Sequence, residues 1–297
     1  MQISTNVFYE TASRRMSELT GKANALQVEI STGKKLQTPS DDAAASAQIA
    51  EFNRRDANDA VYKTNLTVAG SLLQQADTTL GQIGKQVQKA LELATQAANG
   101  TLSAANRSSV GDQIASIRDA LVGLANSKDA RGLPLFGAAA GTDAVKQVNG
   151  TYVYSGASVS DIPIADGQSI DVSVGADRVF KAGSDDTLNV LNNLVTALQS
   201  GSGDVSASIK DAMNKLSAAN DNIASVQASV GARAARVELQ QGLQQKAATD
   251  RTALRSSVED ADAVTTITQL QQTMTVLQAT QASFTKLSNL SLFDYLK

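Results

Sequence analysis

Proline occurs at only three of 297 positions, Pro39, Pro134 and Pro163, and this spacing limits the possible folds more than any other feature of the chain. A proline removes a backbone donor and clashes with the preceding turn, so helices begin just behind it or stop before it. Two long tracts on either side of a short centre are therefore free to be helical. In the first, Ile49, Phe52, Leu66, Leu73, Leu80, Ile83, Val87, Leu91 and Leu93 mostly recur three or four residues apart, the period of an amphipathic helix. Asn99-Gly100 supplies a stop. Ser103 can then cap a second helix that carries Ile114, Ile117, Leu121 and Leu124 on one face.

The centre alternates in twos instead, at Tyr152/Tyr154, Ile162/Ile164 and Ile170/Val172/Val174, with hairpin signals at Asn149-Gly150 and Asp166-Gly167. This predicts a small antiparallel β insertion, rich in aspartate and facing solvent. From Asp186, a good cap, helix resumes, breaks at Gly201 to Gly203, and runs from Asp204 to the end with few interruptions. The expected fold is mainly α: an elongated antiparallel bundle or coiled coil of paired N- and C-terminal segments around the β insertion. Three parts are expected. They are a terminal coiled-coil domain from 1–38 with 259–297, unordered in the monomer, a helical body from 39–131 with 186–258, and the insertion at 132–185.

Composition excludes several functions. The chain has no cysteine and no histidine, which removes thiolate chemistry, disulfides, structural zinc and the commonest general base. Its 26 basic and 29 acidic residues nearly cancel, without the basic stripe and stacking aromatics of a nucleic-acid binder. Aromatics make up 4% and tryptophan is absent, so the core must be thin layers of small and aliphatic residues. The uncharged run from Ala263 to Thr285 is more than half Thr, Gln and Ser, too polar to span a membrane.

The stretch Ser31 to Asp42, STGKKLQTPSDD, invites chemical readings that its spacing does not support. A phosphate loop needs a second glycine and Ser or Thr after the lysine; Gly33 has no partner and Leu36 follows the lysines. Gly81 to Lys85 fails in the same way. Asp41 and Asp42, adjacent on a helix, point about 100° apart and cannot easily share one metal ion. The stretch reads as a joint: Gly33 ends one helix with Lys34 and Lys35 at its negative terminus. Thr38 then caps the next, with Pro39 as its first residue and Asp41 and Asp42 at its positive end. No catalytic, cofactor or metal site is expected, and the chain does not read as an enzyme.

The ends carry the sharpest pattern. Met16, Leu19, Ala23, Leu26 and Ile30 near the N-terminus, and Ile267, Leu270, Met274, Leu277 and Phe284 near the C-terminus, have coiled-coil spacing, with Gln281 in one seam position. Uncharged Thr and Gln on the other faces suit helices surrounded by protein. Arg233, Arg236 and Glu238 are candidates for salt bridges between subunits. Tyr152, Tyr154 and Phe180 read as core, with a carbohydrate-binding surface as the alternative.

Taken together, ISTGKKLQTPSDDAAAS, the returning SVGARAARVE and the uncharged coiled-coil C-terminus resemble the bacterial flagellin family. NGTLSAANRSSVGDQIASIRDALVGLANS, GLPLFG and the ending LSLFDYLK are more similar to the group that joins hook to filament than to filament flagellins. The resemblance implies a structural subunit of the extracellular flagellum, exported without a cleaved signal. Its implied partners are copies of itself in a ring or tube, a neighbouring hook-associated protein, filament flagellin, the export apparatus and a secretion chaperone. It also implies an assembly interface at Ile3, Val7, Leu19, Leu26, Ile30, Ile267, Leu270, Met274, Leu277, Phe284, Leu287, Leu292 and Phe293. Filament flagellin, and a surface adhesin using the insertion, remain the alternatives.

Overall fold

The computed structural model describes residues 2–137, 139–156, 161–200 and 205–294, with side chains for all of these except 2–6, 8 and 287–294. Helices α1 (Gln2–Thr32), α2 (Ala43–Ala97) and α3 (Ala104–Ala125) come first. The strands β1 (Val145–Val148), β2 (Thr151–Tyr154), β3 (Ile162–Ala165) and β4 (Gln168–Ile170) follow. Then come α4 (Ala176–Phe180), β5 (Lys181–Ala182), β6 (Asp185–Asp186), α5 (Thr187–Gln199), α6 (Ser206–Glu259) and α7 (Ala263–Asp294). The chain divides into two compact units, residues 1–57 with 246–297 and residues 58–245. Both α2 and α6 contribute to each.

The unit of residues 58–245 is built on two seven-residue repeats. Leu66, Leu73, Leu80 and Val87 of α2, and Ile209, Leu216, Ile223, Val230 and Val237 of α6, are all buried in one cluster. Alanines at 69, 76, 90, 94, 212 and 219 fill the same core and keep the layers thin. The glycines of the supposed phosphate motif belong to this packing: a Cβ at Gly84 would lie 3.6 Å from Ile223 Cγ2, and one at Gly81 3.7 Å from Gln227 Nε2. Gly111 lets α3 approach α5 closely, since a Cβ there would stand 3.3 Å from Leu198 Cβ.

The helix ends follow the sequence in most places. The Ser103 hydroxyl accepts from Asn106 N at 3.2 Å, and Asp186 accepts from Leu188 N and Asn189 N, as expected of caps. One expectation needs correction. Helix α2 starts at Ala43 and not at Pro39, because Asp42 is its cap, accepting from Ala44 N at 3.0 Å and Ala45 N at 2.9 Å. The C-terminal tract is interrupted at 260–262, where Asp262 caps α7 by accepting from Val264 N at 3.1 Å. The break foreseen at Gly201 to Gly203 lies outside the described residues.

Among the described residues, the insertion forms three two-stranded antiparallel sheets. Asn149 at φ 50° and Gly150 at φ 82° make the two-residue turn that pairs Val148 with Thr151 and Val145 with Tyr154. Solvent takes only part of the strands, including Lys146, Gln147 and Val148 of β1. Val145, Tyr152, Ile164, Ile170, Val172, Val174 and Phe180 join the helical core, and polar side chains on the helices hold the strands. Asn126 pairs with both backbone groups of Val145 at 2.9 Å, Asn65 donates to Pro163 O, Tyr62 donates to Asp166, and Asn222 donates to Arg178 O and Val179 O. The Tyr154 ring stacks 6.3 Å from Phe180 and its hydroxyl donates to Asp186 at 2.9 Å, which supports the core reading of the aromatic trio.

Replacing fully buried Leu216 by Ala should cost about 2–5 kcal/mol of unfolding free energy in urea titration, whereas Leu243→Ala, exposed on the same helix, should stay within about 0.5 kcal/mol.

Candidate assembly interface

In the unit of residues 1–57 with 246–297, α1 packs against α7. The face that α1 covers carries Tyr9, Ala12, Met16, Leu19, Ala23, Leu26 and Ile30, every one buried or half-buried, at alternating steps of three and four. This agrees with the N-terminal pattern. The α7 face differs from the expected one. Its buried and half-buried residues are Thr266, Leu270, Thr273, Leu277, Thr280 and Phe284, while Ile267 and Met274 are each 43% exposed and Gln281 is exposed.

Leu270, Leu277 and Phe284 satisfy both patterns, so the spacing alone could not decide which neighbours complete the stripe. Choosing the more apolar residue, Ile267 over Thr266 and Met274 over Thr273, turns the face by one residue, about 100° at those layers. Threonine is tolerated in the seam because its hydroxyl is satisfied locally: Thr273 donates to Gln269 O and Thr280 to Val276 O, each at 2.8 Å. At the far end Tyr9 and Phe284 meet edge to face, with ring centres 5.4 Å apart. A groove beside them is lined by Thr11, Ala12, Arg15, Val276, Thr280 and Phe284.

The interface predicted from sequence therefore separates into groups. Leu19, Leu26, Ile30, Leu270, Leu277 and Phe284 lie on the faces that α1 and α7 turn to each other. Val7, Ile267 and Met274 are exposed. Ile3, Leu287, Leu292 and Phe293 lie outside the described side chains. Val264 and Val276 are also exposed, so α7 presents apolar side chains that its partner helix leaves uncovered.

The joint is built differently from the sequence reading. Gly33 ends α1 at φ 70°, as expected. Lys34, placed there for the helix dipole, instead forms an ion pair with Glu259. Asp41 folds the turn, accepting from Gln37 N at 2.9 Å and Thr38 N at 2.7 Å, and Thr38 serves that turn and not the helix end. These bonds, that of Thr38 N foremost, hold the Asp41 carboxyl below the usual carboxylate range.

Two charged contacts escaped the sequence reading. Asp56 on α2 accepts from Arg251 Nε and Arg255 Nη2, both at 2.6 Å; two arginines one turn apart on α6 were the legible sign. Arg233 is not free for a subunit contact. It donates to Asp171 O at 3.2 Å and Ser173 O at 3.1 Å and lies 3.4 Å from the Asp171 carboxylate, tying α6 to the segment after β4. Arg236 and Glu238 are exposed. Among the described residues, no group of three or more Asp or Glu is placed to hold a metal ion, and no helix is long and apolar enough to cross a membrane.

Comparison with known proteins matches residues 3–139 to the bacterial flagellin N-terminal helical region. The flagellar hook-associated protein 3 of Escherichia coli strain K12 is 27% identical over the whole of both chains. Flagellin A of Vibrio anguillarum is 29% identical, but over only 40% of this chain and 31% of its own length. Among solved structures, the flagellar hook-associated protein-3 of Legionella pneumophila superposes with a TM-score of 0.65 at 14% identity, covering 71% of this chain and 98% of its own. That likeness shows a shared fold.

The hydrogen bond from Arg251 is the main reason that the Asp56 carboxyl is held below the usual range, with the charges of Arg255 and Arg251 adding to it against partial desolvation. A depressed carboxylate stabilises the folded state above its unfolded pKa of about 3.9, and that contribution disappears as pH falls through the lower folded value. The stability difference between the protein and Asp56→Asn, followed by circular dichroism in urea, should be constant above about pH 5 and narrow below about pH 4.

Proposed function

From the premise of a flagellin-family chain that resembles hook-associated protein 3 from end to end, we propose that this protein is a structural subunit of the bacterial flagellum, an adaptor joining hook to filament. The observation that carries the reading is coverage. The hook-associated relative aligns over the whole chain, whereas flagellin A aligns over 40%. The family is structural, and its place is the extracellular part of the flagellum.

In this reading the terminal segments, 1–38 with 259–297, make the assembly contact. The seam between α1 and α7 holds the hairpin together, and the exposed Val264, Ile267, Met274 and Val276 are covered by neighbouring subunits. Val7, Ile3, Leu287, Leu292 and Phe293 belong to the same proposed interface. The helical body, 39–131 with 186–258, makes lateral contacts, for which Leu239 and Leu243 are suitably exposed four residues apart on α6, with Arg236 and Glu238 beside them as candidate ion-pair partners. The insertion at 132–185 presents its polar face outward. Copies of the chain form a ring or tube bounded by a neighbouring hook-associated protein and by filament flagellin. Delivery is by the flagellar export apparatus with a secretion chaperone.

Cells lacking the protein should carry intact hooks and shed filaments into the medium, both visible by electron microscopy. A chain ended at Lys286 should fail to restore attachment while its 58–245 unit keeps the protease resistance of the full protein. Filaments that stay attached with the truncated chain, or without the protein at all, would overturn the adaptor reading.

A further inference from the structure

Helix α7 has no charged residue between Ala263 and Thr285, so no ion pair along that stretch fixes its alignment with α1. Nor does the seam repeat fix it. Thr266/Leu270, Thr273/Leu277 and Thr280/Phe284 recur every seven residues, and α1 offers an apolar residue at each position from Tyr9 to Ile30. Sliding α7 by one repeat would put each pair where a similar pair stood, at the loss of the Tyr9–Phe284 ring contact, and near-uniform seams of this kind specify register poorly.

What the seam lacks is present at one end of it. Lys35 N donates to Glu259 O and Ala261 N donates to Gly33 O, both at 2.9 Å, on either side of an antiparallel bridge between Lys34 and Asp260. The Lys34 ammonium pairs with the Glu259 carboxylate, which is only 15% exposed. One turn into each helix, Thr266 Oγ1 donates to Glu29 at 3.4 Å. The chain breaks after α1 and before α7 are thus bonded to each other by backbone and side chain together. A one-repeat slip shifts a helix by about 10.5 Å, beyond the reach of all these contacts.

We infer that the bridged joint, with Lys34 and Glu259 as its positioning residues, is a register clamp that selects one of several near-equivalent alignments of α7 on α1. Gly33 is required there because its φ of 70° ends α1 and turns its carbonyl toward Ala261. The clamp acts within one chain and does not depend on the flagellar role.

The absence of cysteine makes the test clean. Ala12 and Thr280 line the same groove, so Ala12→Cys with Thr280→Cys reports the observed register, and Ala12→Cys with Thr273→Cys reports a slip of one repeat. Each pair is placed in the full chain with the native joint, with Lys34→Glu, with Glu259→Lys, and with both reversals, and linked by a short bis-maleimide. The native joint should favour the 12/280 link. Either single reversal should raise the 12/273 to 12/280 ratio by about two- to fivefold, the range set by one ion pair, and the double reversal should return it. Comparing ratios across joints cancels any effect of the cysteines themselves. No preference for 12/280 in the native joint, an unmoved ratio in the single reversals, or a double reversal that does not restore it would each overturn the clamp.

Discussion

Mutual burial of the seven-residue stripes on α2 and α6 is the interaction on which the rest of the 58–245 unit depends. Helix propensity supplies only a small part of what holds a helix in a folded protein, and most comes from packing an apolar face. Leu66, Leu73, Leu80 and Val87 supply that face on one helix, and Ile209, Leu216, Ile223 and Val230 on the other. Alanine and glycine between them allow close approach without aromatic bulk. Helices α3, α4 and α5 and the first two hairpins then add to the same cluster, so the insertion owes its order to the helices beneath it. Small two-stranded sheets are marginal by themselves, and Asn65, Asn126, Asn222 and Arg233 provide the polar ties that replace further strands.

The terminal unit has the same geometry with weaker chemistry. Where α6 repeats Ile, Leu and Val, α7 alternates threonine with leucine. A threonine hydroxyl bonded to its own helix is satisfied, yet it buries less apolar surface than the methyl of a valine or isoleucine would. The hairpin of α1 and α7 is therefore held by fewer large side chains, and by contacts concentrated at its joint. A clamp has more consequence on a weak, uniform seam than on a strong one.

Much of this was legible in the sequence. Proline spacing, the Asn149-Gly150 and Asp166-Gly167 turns, and the caps at Ser103 and Asp186 each appear where local chemistry puts them, because turn and cap preferences act within a few residues. What could not be read depended on partners distant in sequence. The face of α7 was misjudged because Leu270, Leu277 and Phe284 fit two stripes, and ranking neighbours by hydrophobicity favours Ile267 over Thr266. The start of α2 was misjudged because Thr38-Pro39 and Asp42 are both acceptable beginnings, and Asp41 is taken up by the turn amides of Gln37 and Thr38. Arg233 was assigned to a subunit contact because nothing near it in the chain shows that Asp171 and Ser173 return to meet it.

The exposure of Ile267, Met274 and Val276 also accounts for the composition of α7. A helix with one partner keeps a polar, often charged side toward water, and its charges help to choose that partner. α7 instead has its seam on one side and Ile267, Met274 and Val276 exposed on others, with no charge from 263 to 285. Charges on those faces would need desolvation wherever another chain covered them, a cost that often exceeds the return from pairing. Threonine and glutamine keep such faces soluble and still allow burial. Under the proposed role, the neutral surface that permits several neighbours is also the reason alignment cannot be encoded along the helix, and why it is encoded at the joint.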